Sequence, residues 1–237
     1  MAKKVFIGVG HGGKDSGAAA GGFTEKALNL SIALACKAEL EQNGISVGIS
    51  RTKDEDDPLT DEIKECNAFA PDLAVEIHNN AGGGDGAEVF HYSKGGTSKT
   101  LAQNILNEIV AIGQNSRGLK TKLDENGNDY FGWIRQTVAP AVLVECAFLD
   151  TDDVKIINTA EKQAKMGIAI AKGILKTLGI TPKTATATTK TEDKPNTVPT
   201  AKDDKLFRVQ VGAYSVKANA EAMQKKLKEK GFDSIIV

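Results

Sequence analysis

The sequence predicts an α/β domain: a mostly parallel, twisted sheet with helices on both faces, followed by a linker and a small β-α-β unit. Three observations carry this. Apolar runs of strand length alternate with segments of helical periodicity as far as residue 178. Those runs are apolar almost throughout, as strands covered on both faces are. Composition then changes abruptly at residue 181, and one strand–helix–strand pattern closes the chain.

The elements follow in order. "KVFIGVG" (4–10) is the first strand. A helix runs from Glu25 to about Gln42, placing Leu28, Ile32, Ala35 and Leu40 near one face, with Gly44 beyond its end. "ISVGIS" (45–50) is a second strand, and a helix is expected over 60–69. "DLAVEIH" (72–78) and "AEVFHY" (87–92) are further strands, then a helix over 97–112. "PAVLVECAF" (140–148) is the last strand of the main domain, and a helix over 160–178 ends at Gly179. Residues 181–204, rich in Thr, Lys and Pro with almost no large apolar side chain, cannot bury a core and read as a linker. "LFRVQVGAY" (206–214) alternates like a strand, 215–231 forms an amphipathic helix, and "FDSIIV" (232–237) begins another strand. The expected division is therefore 1–180, 181–204 and 205–237, the last piece being small for independent folding.

Composition excludes several classes. With 41% hydrophobic and 26% charged residues and a net charge of −1, the chain gives no overall electrostatic argument for nucleic acid or membrane. The charge is uneven: residues 1–178 hold 19 basic and 24 acidic side chains, residues 205–237 hold 7 and 3. A solvated lysine face accounts for the latter as simply as an anionic partner does. Cys36, Cys66 and Cys146 form no CxxC pair and lie in apolar segments, so buried thiols are expected rather than disulfides. No run is long enough to cross a bilayer. The basic start of "MAKKVFIGVGHGG" leads into an apolar run broken by Gly8 and ended by His11, so a signal peptide is not expected. The expectation is synthesis in the cytoplasm.

Chemistry concentrates where strands end. Gly8, Gly10 and Gly13 satisfy G-x-G-x-x-G after a strand, but a dinucleotide site needs a helix to begin within the motif. Here "KDSGAAAGGF" intervenes and the helix signal starts only at Thr24 and Glu25. What remains is His11 at the carboxyl end of one strand and His78 at the end of another, each followed by small residues. Two histidines so matched point to a metal site, whereas His91, inside "EVFHY", reads as structural. Glu145 lies between Val144 and Cys146 in an apolar strand, where a carboxylate is costly unless paired or functional. Cys146 has no spare histidine to serve as its base.

The set "VGHGG", "GFTEKALNL", "EIHNNA" and "PAVLVECAFL", in that order, resembles the zinc-dependent N-acetylmuramoyl-L-alanine amidases of the Amidase_3 type, found in autolysins and endolysins. The resemblance spans most of residues 3–178. It implies one Zn2+ held by His11, Glu25 and His78, and Glu145 as the catalytic carboxylate. Two imidazoles and one carboxylate leave a fourth position open for water or a carbonyl oxygen, as catalytic zinc requires. Without the histidines, Glu25 would be read as an acid favoured in a helix's first turn. The resemblance also marks Asn80 and Arg135 as substrate-binding or supporting residues. The chain departs from the family's "DPGHGG" in reading "GVGHGG", with Val9 and no acid, and has Glu76 where serine commonly precedes Ile-His, and "AFLDT" for "GFxSN". A zinc peptidase acting on the stem peptide would use the same ligands, and a non-catalytic wall-binding protein could keep the fold.

The C-terminal "VQVGAY", "KANAEA" and "KGFDSIIV" resemble one SPOR repeat, a peptidoglycan-binding module of sporulation-associated hydrolases that usually comes as two. "KGFDSIIV" begins like an RNA-binding RNP1 motif, but Asp233 and Ser234 remove the stacking platform, so no nucleic-acid partner is expected. The resemblance implies peptidoglycan as partner. It also implies action on the cell wall after lysis or holin-type release, as an endolysin or as a mother-cell hydrolase of sporulation.

Overall fold

The computed structural model describes residues 2–182 and, further along, positions 221, 223–225, 227, 228 and 234. Beyond its first two residues the expected linker lies outside the described residues, as does the expected β-α-β unit apart from those positions. The chain divides into two compact units, Met1–Ala187 and Thr188–Val237. In the second, positions 221, 223–225, 227 and 228 are helical, and Gln224 Nε2 donates to the Ser234 carbonyl at 2.6 Å.

The first unit is built on a six-stranded sheet. Its strands are β1 (Lys4–Val9), β4 (Ser46–Ile49), β5 (Leu73–Asn80), β6 (Ala87–His91), β7 (Ser116–Lys120) and β8 (Ala141–Phe148), in the spatial order β4-β1-β5-β8-β6-β7. A two-stranded hairpin, β2 (Ala19–Ala20) and β3 (Phe23–Thr24), precedes the first helix. The helices are α1 (Glu25–Gln42), α2 (Leu59–Phe69), α3 (Thr97–Ala111), α4 (Gly132–Gln136) and α5 (Ala160–Thr177), with a 3-10 turn at Asp152–Ile156.

Strands β4, β1, β5 and β8 are parallel, whereas β6 runs antiparallel to β8 and parallel to β7. The reversal follows from chain length. Only "AGGGDG" separates β5 from β6, half of what a parallel crossover needs. Although β8 lies between the two, the short connection forces the chain to turn back. The α3 segment is long enough to cross over, and β7 accordingly returns parallel to β6.

Both faces are covered. On one, Leu28, Ile32 and Leu40 of α1, Leu101, Ile105 and Ile109 of α3, and Met166, Ile170 and Ile174 of α5 pack on Val5, Ile7, Val75, Val89, Val142 and Val144. On the other, Ile63 and Cys66 of α2 with Trp133 and Ile134 of α4 cover Phe6, Ala74, Ala141 and Leu143. Because α2 and α4 are short, they cover only the lower half of their face. At the carboxyl ends of β1, β5 and β8 the same face is left open.

Candidate active site

Alternation along the strands selects what the open half presents. Leu143 faces α2 and α4, so Glu145, two residues on, faces the same way one step higher. Ala74 and Glu76 lead likewise to His78, and Phe6 and Gly8 to Gly10. The register places His78 directly beside Glu145 on the neighbouring strand. Gly10 is required here: a Cβ at that position would stand 2.2 Å from His78 Cε1. With only hydrogen there, the His78 ring can lie across the end of β1.

The third group comes from α1. Glu25, its first residue and only 5% exposed, sits between the two imidazoles. Its Oε1 lies 2.9 Å from His78 Nδ1, and its Oε2 lies 3.1 Å from His11 Nε2. Oε1 also accepts from the Asn79 amide at 3.1 Å, and Oε2 from the Ala18 amide at 2.9 Å. The imidazoles meet edge to face, centroids 5.0 Å apart. Each of His11, Glu25 and His78 offers a ligand atom within 4.8 Å of the others. Two neutral nitrogen donors and one carboxylate are a donor set suited to a divalent transition metal, zinc among them.

Electrostatics agree with that geometry. Burial alone would raise the Glu25 pKa, yet its contacts with His11 and His78 hold the carboxyl far below the usual range, so it stays ionised. His11 is raised chiefly by its hydrogen bond to Glu25. His78 is pulled down by burial, but the charge of Glu76 and the bond to Glu25 prevail and raise it. Glu145 differs. Burial, reinforced by the charges of Glu25, Glu88 and Glu76, pushes it up to about 7 against the pull of His78. Its Oε2 is buried without a hydrogen-bond partner.

His11, His78, Glu76 and Glu145 line one cleft of about 550 Å³, walled on the apolar side by Leu59, Phe131, Trp133 and Leu143, and Glu25 reaches it through its contacts with the two imidazoles. Thus the structure brings His11, Glu25, His78 and Glu145 together. Asn80 and Arg135 are not among the cleft residues. Asn80 Nδ2 donates to Glu88 Oε1 at 3.1 Å and its Oδ1 accepts from the Ala81 amide. The Arg135 guanidinium donates to the carbonyls of Asp129 and Tyr130, 2.6 and 3.2 Å away, and holds the segment entering α4. His91 is buried with Nδ1 2.8 Å from the Tyr92 carbonyl, and the three thiols are free and buried.

Sequence reasoning missed three supporting groups. Glu76 Oε1 lies 3.3 Å from His78 Nε2. The argument that singles out Glu145, a carboxylate in an apolar strand, applies equally to it. Glu62 of α2 is 3% exposed and accepts from the Val9 amide at 3.0 Å. Burial and the charge of Glu76 push it up to about 8. Arg51, 2% exposed, donates to the carbonyls of Val9, Gly10, Lys26 and Lys53 at 2.8–3.3 Å. It ties the end of β1 to the first turn of α1, which fixes His11 relative to Glu25.

Comparison with known proteins gives consistent results. The Amidase_3 family model, described as N-acetylmuramoyl-L-alanine amidase, matches residues 5–176, and the SPOR domain model matches 203–237. A sporulation-specific N-acetylmuramoyl-L-alanine amidase of Bacillus subtilis (strain 168) is 34% identical over 239 residues, covering 99% of this chain and 84% of the relative. An endolysin of Bacillus phage SPP1 is 32% identical over 201 residues, covering 83% and 73%. The solved structure of Cwp6 from Clostridium difficile superposes with a TM-score of 0.74 at 41% identity, over 75% of this chain and 30% of that longer one.

Proposed function

This chain belongs to the Amidase_3 family of N-acetylmuramoyl-L-alanine amidases, hydrolases of the peptidoglycan amide bond, and we propose that it performs that hydrolysis with one zinc ion held by His11, Glu25 and His78. The bond cut is the one between the lactyl group of N-acetylmuramic acid and L-alanine. The observation that carries the reading is the register of β5 and β8, which puts Glu145 beside His78 with one carboxylate oxygen unpartnered. Zinc bound at the three ligands supplies a Lewis acid that polarises the amide carbonyl and lowers the pKa of a water toward neutrality. Glu145 takes the proton of the attacking water on its free oxygen and delivers it to the departing L-alanine nitrogen. A carboxyl titrating at about 7 is suited to both transfers. Glu25 cannot share that work, because its two oxygens are held between the imidazoles and the amides of Ala18 and Asn79.

In this reading residues 1–180 are the catalytic domain, 181–204 a linker and 205–237 a peptidoglycan-binding repeat. Asn80 and Arg135 act at one remove, through the backbone and side-chain contacts they hold. Among the described residues no helix is long and apolar enough to cross a membrane. We place the action at the cell wall, after lysis or passage through a holin-type pore.

The test is mass spectrometry of purified peptidoglycan after digestion, with and without EDTA. Stem peptides bearing a free L-alanine amine, absent after chelation and restored by zinc, are expected. New ends within the stem peptide would indicate a peptidase instead, and no new ends a binding protein.

A further inference from the structure

We infer that Asp15 is a positioning residue that sets which nitrogen of His11 faces the metal, an inference that rests on the zinc site proposed above. His11 Nδ1 lies 2.8 Å from Asp15 Oδ2, whereas Nε2 lies 3.1 Å from Glu25 Oε2. The two ring nitrogens thus meet different carboxylates. Glu25 is buried among the ligands, while the Asp15 side chain is 69% exposed at the mouth of the same cleft.

The backbone is bent to make this pair. His11 has φ 63°, a left-handed conformation that side-chain-bearing residues seldom adopt. Gly12 and Asp15 then exchange both backbone hydrogen bonds at 2.9 Å, closing a tight turn through Gly13 at φ 54°. That turn carries the chain back beneath the imidazole, so that the residue four positions on reaches Nδ1. The other oxygen of Asp15 accepts from the Gly17 amide at 3.0 Å, which fixes the carboxylate plane. A ligating histidine that donates its second N–H to a fixed carboxylate is locked in one tautomer and made a stronger donor. For His11 this leaves Nε2 as the metal-facing nitrogen. At His78 the corresponding contact, Nε2 to Glu76, is longer at 3.3 Å, so Asp15 is the better-formed of the two supports.

The experiment compares the full chain with Asp15→Asn and Asp15→Ala. Three quantities are read: zinc affinity by competition with a chromophoric chelator, thermal unfolding, and the 15N signals of the His11 ring in the zinc-loaded protein. Zinc affinity is expected to fall roughly 10- to 100-fold, less for Asn than for Ala. The exposed site should leave the melting temperature of the metal-free chain nearly unchanged. In the wild type Nε2 should carry the coordination shift and Nδ1 a slowly exchanging proton, which the Ala variant loses. Affinities within about twofold of wild type, or coordination through Nδ1, would overturn the inference while leaving the zinc site standing. A wild-type chain that binds no zinc would overturn the site and the inference together.

Discussion

Glu62 makes the structure testable by stability alone. Its carboxyl is 3% exposed beneath the cleft, and burial beside Glu76 pushes its pKa up to about 8 from an ordinary 4.5. Between those values the folded chain keeps a proton that the unfolded chain has released. The folded state therefore binds more protons, and stability must fall as pH rises. The slope is one proton, ~1.4 kcal/mol per pH unit. From pH 5.5 to 7.5 this amounts to on the order of 2 kcal/mol for Glu62 and the Glu76 charge it interacts with. Glu62→Gln imitates the protonated acid: its amide oxygen can still accept from the Val9 amide, and nothing is left to titrate. Urea unfolding of both chains at the two pH values gives the double difference, in which His11, His78 and Glu145 cancel because both chains contain them. The variant should gain on the order of 2 kcal/mol relative to wild type over the interval, with equal m-values. Parallel pH profiles, within about 0.5 kcal/mol, would refute the claim that Glu62 is buried uncharged.

Four further outcomes are expected. Glu145→Gln should lower turnover by about 10²- to 10⁴-fold at unchanged zinc affinity. Because the proposed base is the ionised form of Glu145, whose pKa burial raises, wild-type kcat/KM should fall as the medium is acidified through that pKa, a limb to be sought in a pH–rate profile. Gly10→Ala drives a methyl group into the His78 ring, 2.2 Å from Cε1, and should abolish stoichiometric metal uptake in a chain whose circular dichroism is unchanged. Trp133 is fully buried and its Nε1 donates to the Val142 carbonyl at 3.1 Å. Trp133→Ala should cost about 3–5 kcal/mol in urea unfolding, and less than about 1 kcal/mol would mean that α4 is not packed as described.

The sequence is legible where burial is uniform. Strands β1, β5 and β8 are buried along almost their whole length and mostly apolar, so they announce themselves, and α1, α2, α3 and α5 carry their periodicity openly. Strand β7 does not, because "SRGLK" is an edge strand whose Ser116 and Arg117 are exposed. The direction of β6 is no property of its residues. It follows from the six-residue connection before it, a count available in the sequence but weighed only once the strand order is known. In the site, the histidines stand out because glycines surround them, and Glu145 because its neighbours are apolar. Arg51 is hidden by its setting: in "SRTKDEDD" it reads as one solvated charge among many, and only the converging carbonyls of Val9, Gly10 and Lys26 explain its burial. Asn80 and Arg135 followed from family resemblance, which marks positions without saying which way a side chain turns.

The order of strands has a consequence for synthesis. The site draws its groups from residues 11, 25, 78 and 145, and the strand bearing the last of them is inserted between β5 and β6, both made long before it. A ribosome that has delivered His11, Glu25 and His78 has produced the three proposed ligands but not Glu145, the carboxylate proposed to move the proton. The gap between β5 and β6 also lacks the strand that joins them. Under the proposed mechanism, chains that end before β8 lack both Glu145 and the strand that sets it beside His78. That mechanism therefore needs nearly all of the first unit, because its last group arrives only with residue 145.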